Sequence, residues 1–261
     1  MMEIIPLAVP VLTYAFKCLI FSSERAEPFD PNFTVSIQVP TLNEEAWIES
    51  SLESLVNQRV YRENRDRVEI VVLDSGSEDL TVEIARNYAD RVLTVPKGKL
   101  TARNIGSRIT DAEVIVSTDA DVIAPEFWLD VLLRHFSDPS VAAVTGPSLV
   151  YSPPSPLFVN ILEIWHAVVG RTTADLRLIG RNSALRREAF LKIGGFNEGI
   201  NQKSVLQMVR EEEIALWRRM SEAGRVIYDP TAFVYTVERR IMPPVDESLT
   251  KYREEIGKIR F

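Results

Sequence analysis

Short apolar runs alternate along this chain with longer segments in which apolar residues recur every three or four positions. The short runs predict strands at residues 35–39, 68–73, 91–95, 114–118 and 141–145. The periodic segments predict helices at residues 44–57, around 80–88, at 100–109 and at 127–136, the first of them capped by Asn43. Because strands and helices alternate, the pattern predicts an α/β domain whose mostly parallel central sheet is flanked by helices.

Beyond Pro147 the pattern is looser. It predicts helices at residues 157–172, at 209–223, which Gly224 would end, and at 245–259. The chain is thereby divided into an apolar N-terminal segment with a linker (1–32), one domain (33–240) and a C-terminal helix (241–261).

Residues 1–21 are almost entirely apolar and approach the length that spans a bilayer. Pro6, Pro10 and Lys17 interrupt the run, so a helix that lies in the membrane interface or packs on protein is an alternative to a span. In a span, the basic residues Lys17 and Arg25 would leave the main domain in the cytoplasm. We therefore expect a cytoplasmic protein at the inner face of a membrane.

The net charge and the scarcity of cysteine and histidine argue against several kinds of partner and site. A net charge of -7 argues against nucleic acid as a non-specific partner. Cys18 is the only cysteine, which excludes an intrachain disulfide and a cysteine-based zinc site. His135 and His166 are the only histidines, so a histidine-rich metal site is excluded and acid–base chemistry falls to carboxylates.

Polar side chains follow three of the predicted strands, at residues 41–44, 74–77 and 119–121. The carboxyl ends of parallel strands meet at one edge of a sheet, where ligands bind in a crevice. In the last cluster, Asp119 and Asp121 offer two carboxylates one residue apart, which suit Mg²⁺ or Mn²⁺ held against a diphosphate. Taken alone, a D-x-D motif is more typical of a solvated turn than of a metal site.

Six segments in order resemble family 2 glycosyltransferases with the GT-A fold. They are VSIQVPTLNEE (35–45), VVLDSGSED (71–79), LTARNIG (100–106), STDADV (117–122), GRNSALRREAFLKIGGFNE (180–198) and, more loosely, EEEIALWRRMSEAGRVIYDP (211–230). The resemblance covers residues 35–235, nearly the whole chain apart from its ends. It implies a single nucleotide-diphospho-sugar transferase domain.

The resemblance also implies a role for particular side chains. Thr41, Glu44 and Asp74 would line the nucleoside pocket, and Lys99 and Arg103 would reach the diphosphate. Asp119 would contact the ribose or the metal, and Asp121 would hold the metal. Two alternatives come from the residues themselves: Asp74 suits an Asx-turn, and Lys99 suits a solvated surface charge.

The catalytic pair of the family aligns with Glu212 and Glu213, and counting back from Gly224 places Glu213 at the position of the base. The tripeptide Gly194-Gly195-Phe196 suits either a turn that shapes the acceptor site or a tight turn with a core phenylalanine. Many relatives carry a histidine after the last strand in a V-x-H pattern, where this chain has Thr236. Arg239 or Arg240 could offer compensating positive charge there.

The function implied is metal-dependent, inverting transfer of a sugar from a nucleoside diphosphate-sugar to an acceptor hydroxyl, with a carbohydrate or lipid-linked acceptor. Transfer to a polyprenyl phosphate is an alternative, and such an acceptor, already anionic, needs no base. A catalytically idle nucleotide-sugar-binding protein is another, against which the intact Asp74, Asp119, Asp121 and Glu213 argue.

Overall fold

The computed structural model describes residues 27–150, 178, 180–200 and 212–236. The predicted N-terminal segment 1–21, the helices 157–172 and 245–259, and both Arg239 and Arg240 lie outside these residues. Within them, no helix combines the length and the hydropathy that crossing a bilayer requires.

Ten strands form two sheets in the described part of the chain. They are β1 Val35–Thr41, β2 Val68–Asp74, β3 Arg91–Thr94, β4 Val114–Ser117, β5 Val122–Ile123, β6 Val141–Thr145, β7 Ser148–Val150, β8 Ser183–Arg186, β9 Arg225–Tyr228 and β10 Val234–Thr236. The larger sheet has the order β3-β2-β1-β4-β8-β6-β9, and only β8 runs antiparallel to its neighbours. The smaller sheet has the order β5-β10-β7. The predicted mostly parallel α/β architecture is confirmed.

Helices flank the larger sheet. They are α1 Ile48–Val56, α2 Arg59–Glu63, α3 Thr81–Ala85, α4 Lys99–Ile109, α5 Trp128–Leu133, α6 Arg187–Lys192 and α7 Ile214–Ala223, with short 3₁₀ turns at Arg134–Ser137 and Glu198–Ile200. The strands and helices predicted before Pro147 are all present; α1, α3 and α5 are shorter than predicted, whereas α4 begins one residue earlier than predicted and ends at the predicted residue.

The predicted cap at Asn43 is wrong. Helix α1 begins at Ile48, and Trp47 precedes it without a side-chain cap. Asn43 has a left-handed backbone (φ 54°), and its side-chain oxygen instead accepts a hydrogen bond from Glu78 N (2.9 Å) in the loop after β2. Asparagine tolerates that conformation and bonds backbone groups of either a helix or a loop, so the sequence alone does not separate the two.

The two faces of β4 contribute to two different hydrophobic cores. One face of β4, through Val114 and Val116, belongs to the core that contains α1 and the buried Trp128 of α5. The other face, through Ile115, belongs to the core that contains Phe190 of α6 and residues of α7. Each such large apolar side chain, fully buried, stabilises the fold by about 1.5–3 kcal/mol.

A polar row crosses the sheet close to its carboxyl edge. Side chains of residues that pair directly across neighbouring strands point to the same face of the sheet. In this row the paired residues, from β1 to β9, are Gln38, Ser117, Ser183, Thr145 and Tyr228. Arg103 of α4 donates from Nε to the hydroxyl of Ser117 at 2.8 Å, so the row faces α4. The apolar interior of the sheet thus ends at the level where the predicted site residues begin.

Candidate active site

Asp119 lies in the loop that follows β4, and its backbone is held from two sides. Thr118 N donates to Gln38 O of β1 (3.2 Å), which extends the strand pairing by one residue. The hydroxyl of Ser51, on α1, donates to Asp119 O (3.2 Å). The loop therefore leaves the sheet in a fixed direction.

Two cations contact the Asp119 carboxylate. Lys99 Nζ and Arg103 Nη2 each lie 2.5 Å from one of its oxygens. Burial of Asp119 opposes its ionisation, but the charges of Lys99 and Arg103 outweigh that effect and hold the pKa of Asp119 below its usual range. Three of the predicted site residues are thus brought together, and Lys99, which is half-exposed, is engaged with Asp119 in this structure.

Arg103 is the buried centre of the site. Its guanidinium lies 5.7 Å from the ring centroid of Phe196, and a Cβ added to Gly180 would lie only 3.0 Å from its Nη1. Burial lowers the pKa of Arg103, whereas the charges of Asp119 and Glu213 raise it. Glu213 therefore acts on the same guanidinium that contacts Asp119.

The two glutamates before α7 face different surroundings. Glu212 is buried, and its carboxylate accepts hydrogen bonds from Asn197 N (3.2 Å) and Arg219 Nη2 (3.3 Å). Burial raises the pKa of Glu212. Glu213 is partly exposed, and its backbone carbonyl accepts from Leu178 N at 3.1 Å. The backbone at these two residues forms a π-type turn, a feature often found at functional sites.

Asn104 is a residue of the site region that sequence reasoning missed. Its side-chain nitrogen donates to Phe196 O (2.9 Å) and to Glu198 Oε1 (2.8 Å), and its oxygen accepts from Phe196 N (2.8 Å). It follows Arg103 in the matched LTARNIG segment, and a polar side chain at that point of an otherwise packed helix was the available signal.

The Gly194-Gly195-Phe196 turn matches one of its two predicted interpretations, and its part in an acceptor site stays a prediction. Gly194 (φ 85°) and Gly195 (φ 75°) are consecutive left-handed residues, which glycine adopts without strain. Phe196 is buried and packs edge-on against Phe190, with ring centroids 5.1 Å apart. The turn is therefore a tight one with a core phenylalanine, and that phenylalanine also lies beside Arg103.

Thr41 and Asp74 meet at the ends of β1 and β2. The Asp74 carboxylate accepts from Gly76 N (3.0 Å) and from the hydroxyl of Ser77 (2.5 Å), and Thr41 Oγ1 donates to it at 3.3 Å. The Asx-turn alternative is thus present in the structure. Glu44 lies in the adjoining loop, where its N–H donates to Thr81 Oγ1 (2.7 Å). Their contact with a nucleoside stays a prediction.

Asp121 stands at the junction of the two sheets. It is partly exposed and immediately precedes β5, in which Val122 pairs with Thr236 of β10. Thr236 therefore lies beside the D-x-D motif, where the resemblance places a histidine in many relatives. Among the described residues no group of three or more His, Cys, Asp or Glu side chains forms a metal cage.

The donor set nevertheless fits a hard divalent cation. Such ions are held by one or two carboxylates and complete their coordination with substrate phosphates and water. Asp121 supplies one carboxylate, and Asp119 a second beside two cations. The roles of both residues at a metal stay predictions.

This sheet order, with a D-x-D motif directly after β4, defines the class: the protein has the GT-A fold. The model of the family described as Glycosyl transferase family 2 matches residues 36–196, and the chain belongs to that family. The predicted family and fold are both confirmed.

Curated relatives agree with this family. The chain is 32% identical over 183 residues to the probable glycosyltransferase YdaM of Bacillus subtilis, which covers 63% of this chain and 43% of that protein. It is 26% identical over 217 residues to the O-antigen chain rhamnosyltransferase RfbN of Salmonella typhimurium, covering 77% of this chain and 65% of that protein. The chain thus spans less than two thirds of either relative.

Among solved structures, the fold is similar to that of the mannosyltransferase PcManGT from Pyrobaculum calidifontis, determined in complex with GDP-Man and Mn²⁺. The TM-score is 0.60 at 24% identity, over 92% of this chain and 70% of that one.

Proposed function

We propose that this protein is a metal-dependent, inverting glycosyltransferase that moves a sugar from a nucleoside diphosphate-sugar to an acceptor hydroxyl. The observation that carries the proposal is the contact of Lys99 and of the buried Arg103 with Asp119, directly after β4 at the carboxyl edge of the sheet. Family membership and the GDP-Man complex of a protein with the same fold support a nucleotide-sugar donor.

Lys99 and Arg103 are the groups that would meet the departing diphosphate. In this structure they contact Asp119, and Arg103 is held in place by Ser117 as well. A buried guanidinium with fixed hydrogen bonds does not have to reorganise when charge develops on a leaving group. Lys99, which is half-exposed at the start of α4, can follow a phosphate oxygen as it moves.

A divalent cation bound by Asp121, and by Asp119, would neutralise charge on the diphosphate. The oxygen donors suit either Mg²⁺ or Mn²⁺. Thr236 replaces the histidine of many relatives, so this chain would rely on carboxylates and phosphate oxygens to hold the ion.

Glu213 is proposed as the general base, and Glu212 as the residue that positions it. Glu213 would take the proton of the acceptor hydroxyl while the acceptor oxygen bonds to the anomeric carbon and the bond from that carbon to the diphosphate breaks. Glu212 is buried and accepts a hydrogen bond from Asn197 N, so it ties the start of α7 to the residue that follows the glycine turn and would thereby position the adjacent Glu213.

A panel of UDP-, GDP- and dTDP-sugars, each with Mn²⁺ or Mg²⁺, tests the proposal. We expect one donor to raise the melting temperature and to be hydrolysed slowly, or transferred when an acceptor is present. Binding with neither hydrolysis nor transfer would favour an idle binding protein, and transfer to a polyprenyl phosphate that survives Glu213→Gln would favour the lipid acceptor. No binding of any donor would refute the proposal.

A further inference from the structure

Arg181 occupies a fixed position between two anchored residues. On one side the carbonyl of Gly180 accepts a hydrogen bond from the Ser117 hydroxyl (2.5 Å). On the other, the fully buried Asn182 accepts from Trp128 Nε1 (2.8 Å) and donates to Ala232 O (2.7 Å). The backbone at residue 181 therefore has little freedom, and its side chain starts from a defined place at the site.

Arg181 adjoins the centre of the site, because a Cβ added to the preceding Gly180 would lie only 3.0 Å from Nη1 of Arg103. Its Nε–H is buried, yet it has no hydrogen-bond partner among the residues that the structure describes. A buried donor of this kind is costly to leave unmatched, and burial of guanidinium groups is normally accompanied by hydrogen bonding.

The neighbouring cationic side chains, Lys99 and Arg103, already have partners. Lys99 and Arg103 each contact one oxygen of Asp119, and Arg103 bonds Ser117 in addition. Arg181, which follows Gly180 at the side of Arg103, is a third cationic side chain, and both oxygens of Asp119 are already contacted by the other two. A guanidinium presents several donors in a fixed fork that matches phosphate oxygens.

We propose that Arg181 binds phosphate oxygens of a substrate in this site, a role that rests on the proposed glycosyltransferase function. Two substrates can supply that group: the diphosphate of the donor, or an acceptor that itself carries a phosphate. The chemistry recognised is the same, and in the second case Arg181 would select the acceptor class.

Isothermal titration of the full chain with UDP, GDP and their nucleosides in the presence of Mn²⁺ separates the two sources. Glycerol 3-phosphate, titrated into protein saturated with the nucleotide that binds, probes a phosphorylated acceptor. The variants are Arg181→Ala, Arg181→Lys and the control Arg225→Ala, which removes an equal charge from an exposed arginine paired with Asp138.

If Arg181 holds the donor, Arg181→Ala weakens nucleoside diphosphate binding by about 10- to 100-fold, the size of a lost charge-assisted hydrogen bond. Nucleoside binding stays unchanged, and Arg181→Lys, which keeps the charge but loses the fork, falls between. If Arg181 holds the acceptor, the diphosphate binds normally and only glycerol 3-phosphate binding is lost.

The inference is overturned if wild type and Arg181→Ala bind both the diphosphate and glycerol 3-phosphate equally, or if Arg225→Ala weakens binding as much. A wild-type protein that binds no nucleotide or nucleotide sugar refutes the proposed function, and this inference then falls with it. Circular dichroism of each variant separates a binding loss from misfolding.

Discussion

The side-chain amide of Asn104 pairs with both backbone polar groups of Phe196, accepting from its N–H at 2.8 Å and donating to its carbonyl at 2.9 Å. This pairing fastens the glycine turn to α4, the helix that carries Arg103. It therefore sets the distance between the Phe196 ring and the Arg103 guanidinium.

Asn104→Ala leaves the buried backbone groups of Phe196 without partners. Each unsatisfied group costs about 1–3 kcal/mol, so we expect the free energy of unfolding to fall by about 2–4 kcal/mol. Urea denaturation measures this change. Asn87→Ala, at an exposed position, is the control and should change stability by less than about 0.5 kcal/mol. Equal effects of the two substitutions would contradict a role for the pairing.

Gly194 and Gly195 offer a matched pair for testing the turn. Both have positive φ, so alanine at either position is strained by about 1–2 kcal/mol. Only at residue 195 would the new Cβ meet a neighbour, 2.5 Å from Asn104 Oδ1. We expect Gly195→Ala to destabilise the protein by about 1–3 kcal/mol more than Gly194→Ala. Equal losses in thermal and urea unfolding would show that the turn is looser than described.

Asp229 is expected to make stability depend on pH. Its carboxylate accepts from Thr231 N (2.8 Å) and Arg134 Nη2 (3.0 Å), and lies 2.8 Å from Nε2 of His135. Burial opposes its ionisation, but these hydrogen bonds outweigh burial and hold the pKa of Asp229 well below its usual value.

Because the folded-state pKa of Asp229 is depressed, its stabilisation is complete above the unfolded pKa of about 4 and is lost as the pH falls below that value. Near neutral pH, the free energy of unfolding of Asp229→Asn should therefore be about 1–3 kcal/mol lower than that of wild type. This difference between the two proteins should become smaller as the pH falls from about 5 to about 3. Urea denaturation across that range, with exposed Asp111→Asn as control, checks the sign. A gap that widens on acidification would contradict it.

Asp121→Ala should weaken Mn²⁺ binding at least about tenfold, since even residues that only support a ligand contribute that much. Electron paramagnetic resonance of free Mn²⁺ in the presence of nucleoside diphosphate measures the loss. The melting temperature should hardly change, because Asp121 is partly exposed. Exposed Asp111→Ala serves as the control for the removed charge. Unchanged Mn²⁺ affinity in Asp121→Ala would place the ion elsewhere.

In the first half of the domain, the local pattern of apolar and polar residues was sufficient to predict where the strands lie. Strands β2, β4 and β6 are mostly apolar runs, and β1 alternates apolar residues with buried polar ones, so their positions follow from the local pattern. Strand β8 was not predicted, and it is fixed by pairing with β4 and β6, each nearly forty residues or more away. Such a strand is stabilised by tertiary contacts and leaves no periodic signal.

In the candidate active site, too, the features that depend on contacts between distant parts of the chain could not be predicted from the sequence. Motif position singled out Asp119, Lys99 and Arg103, which contact one another in the structure. It favoured Glu213 over Glu212 only by counting back from Gly224, and it could not show their different surroundings, because Asn197 and Arg219 bond the buried Glu212 while Glu213 is partly exposed. It also gave no reason to single out Arg181, whose position depends on the contacts of Gly180 and Asn182.

Glu213→Gln, compared with Glu212→Gln, tests whether Glu213 is the general base. Transfer rates are measured with the nucleotide sugar and acceptor that the panel identifies, alongside donor binding by titration with Mn²⁺. We expect Glu213→Gln to lower the transfer rate by about 10²–10⁴-fold while donor affinity is retained. Glu212→Gln should lower the melting temperature and reduce the rate clearly less. Near wild-type transfer by Glu213→Gln, or a larger loss of rate in Glu212→Gln, would contradict the account.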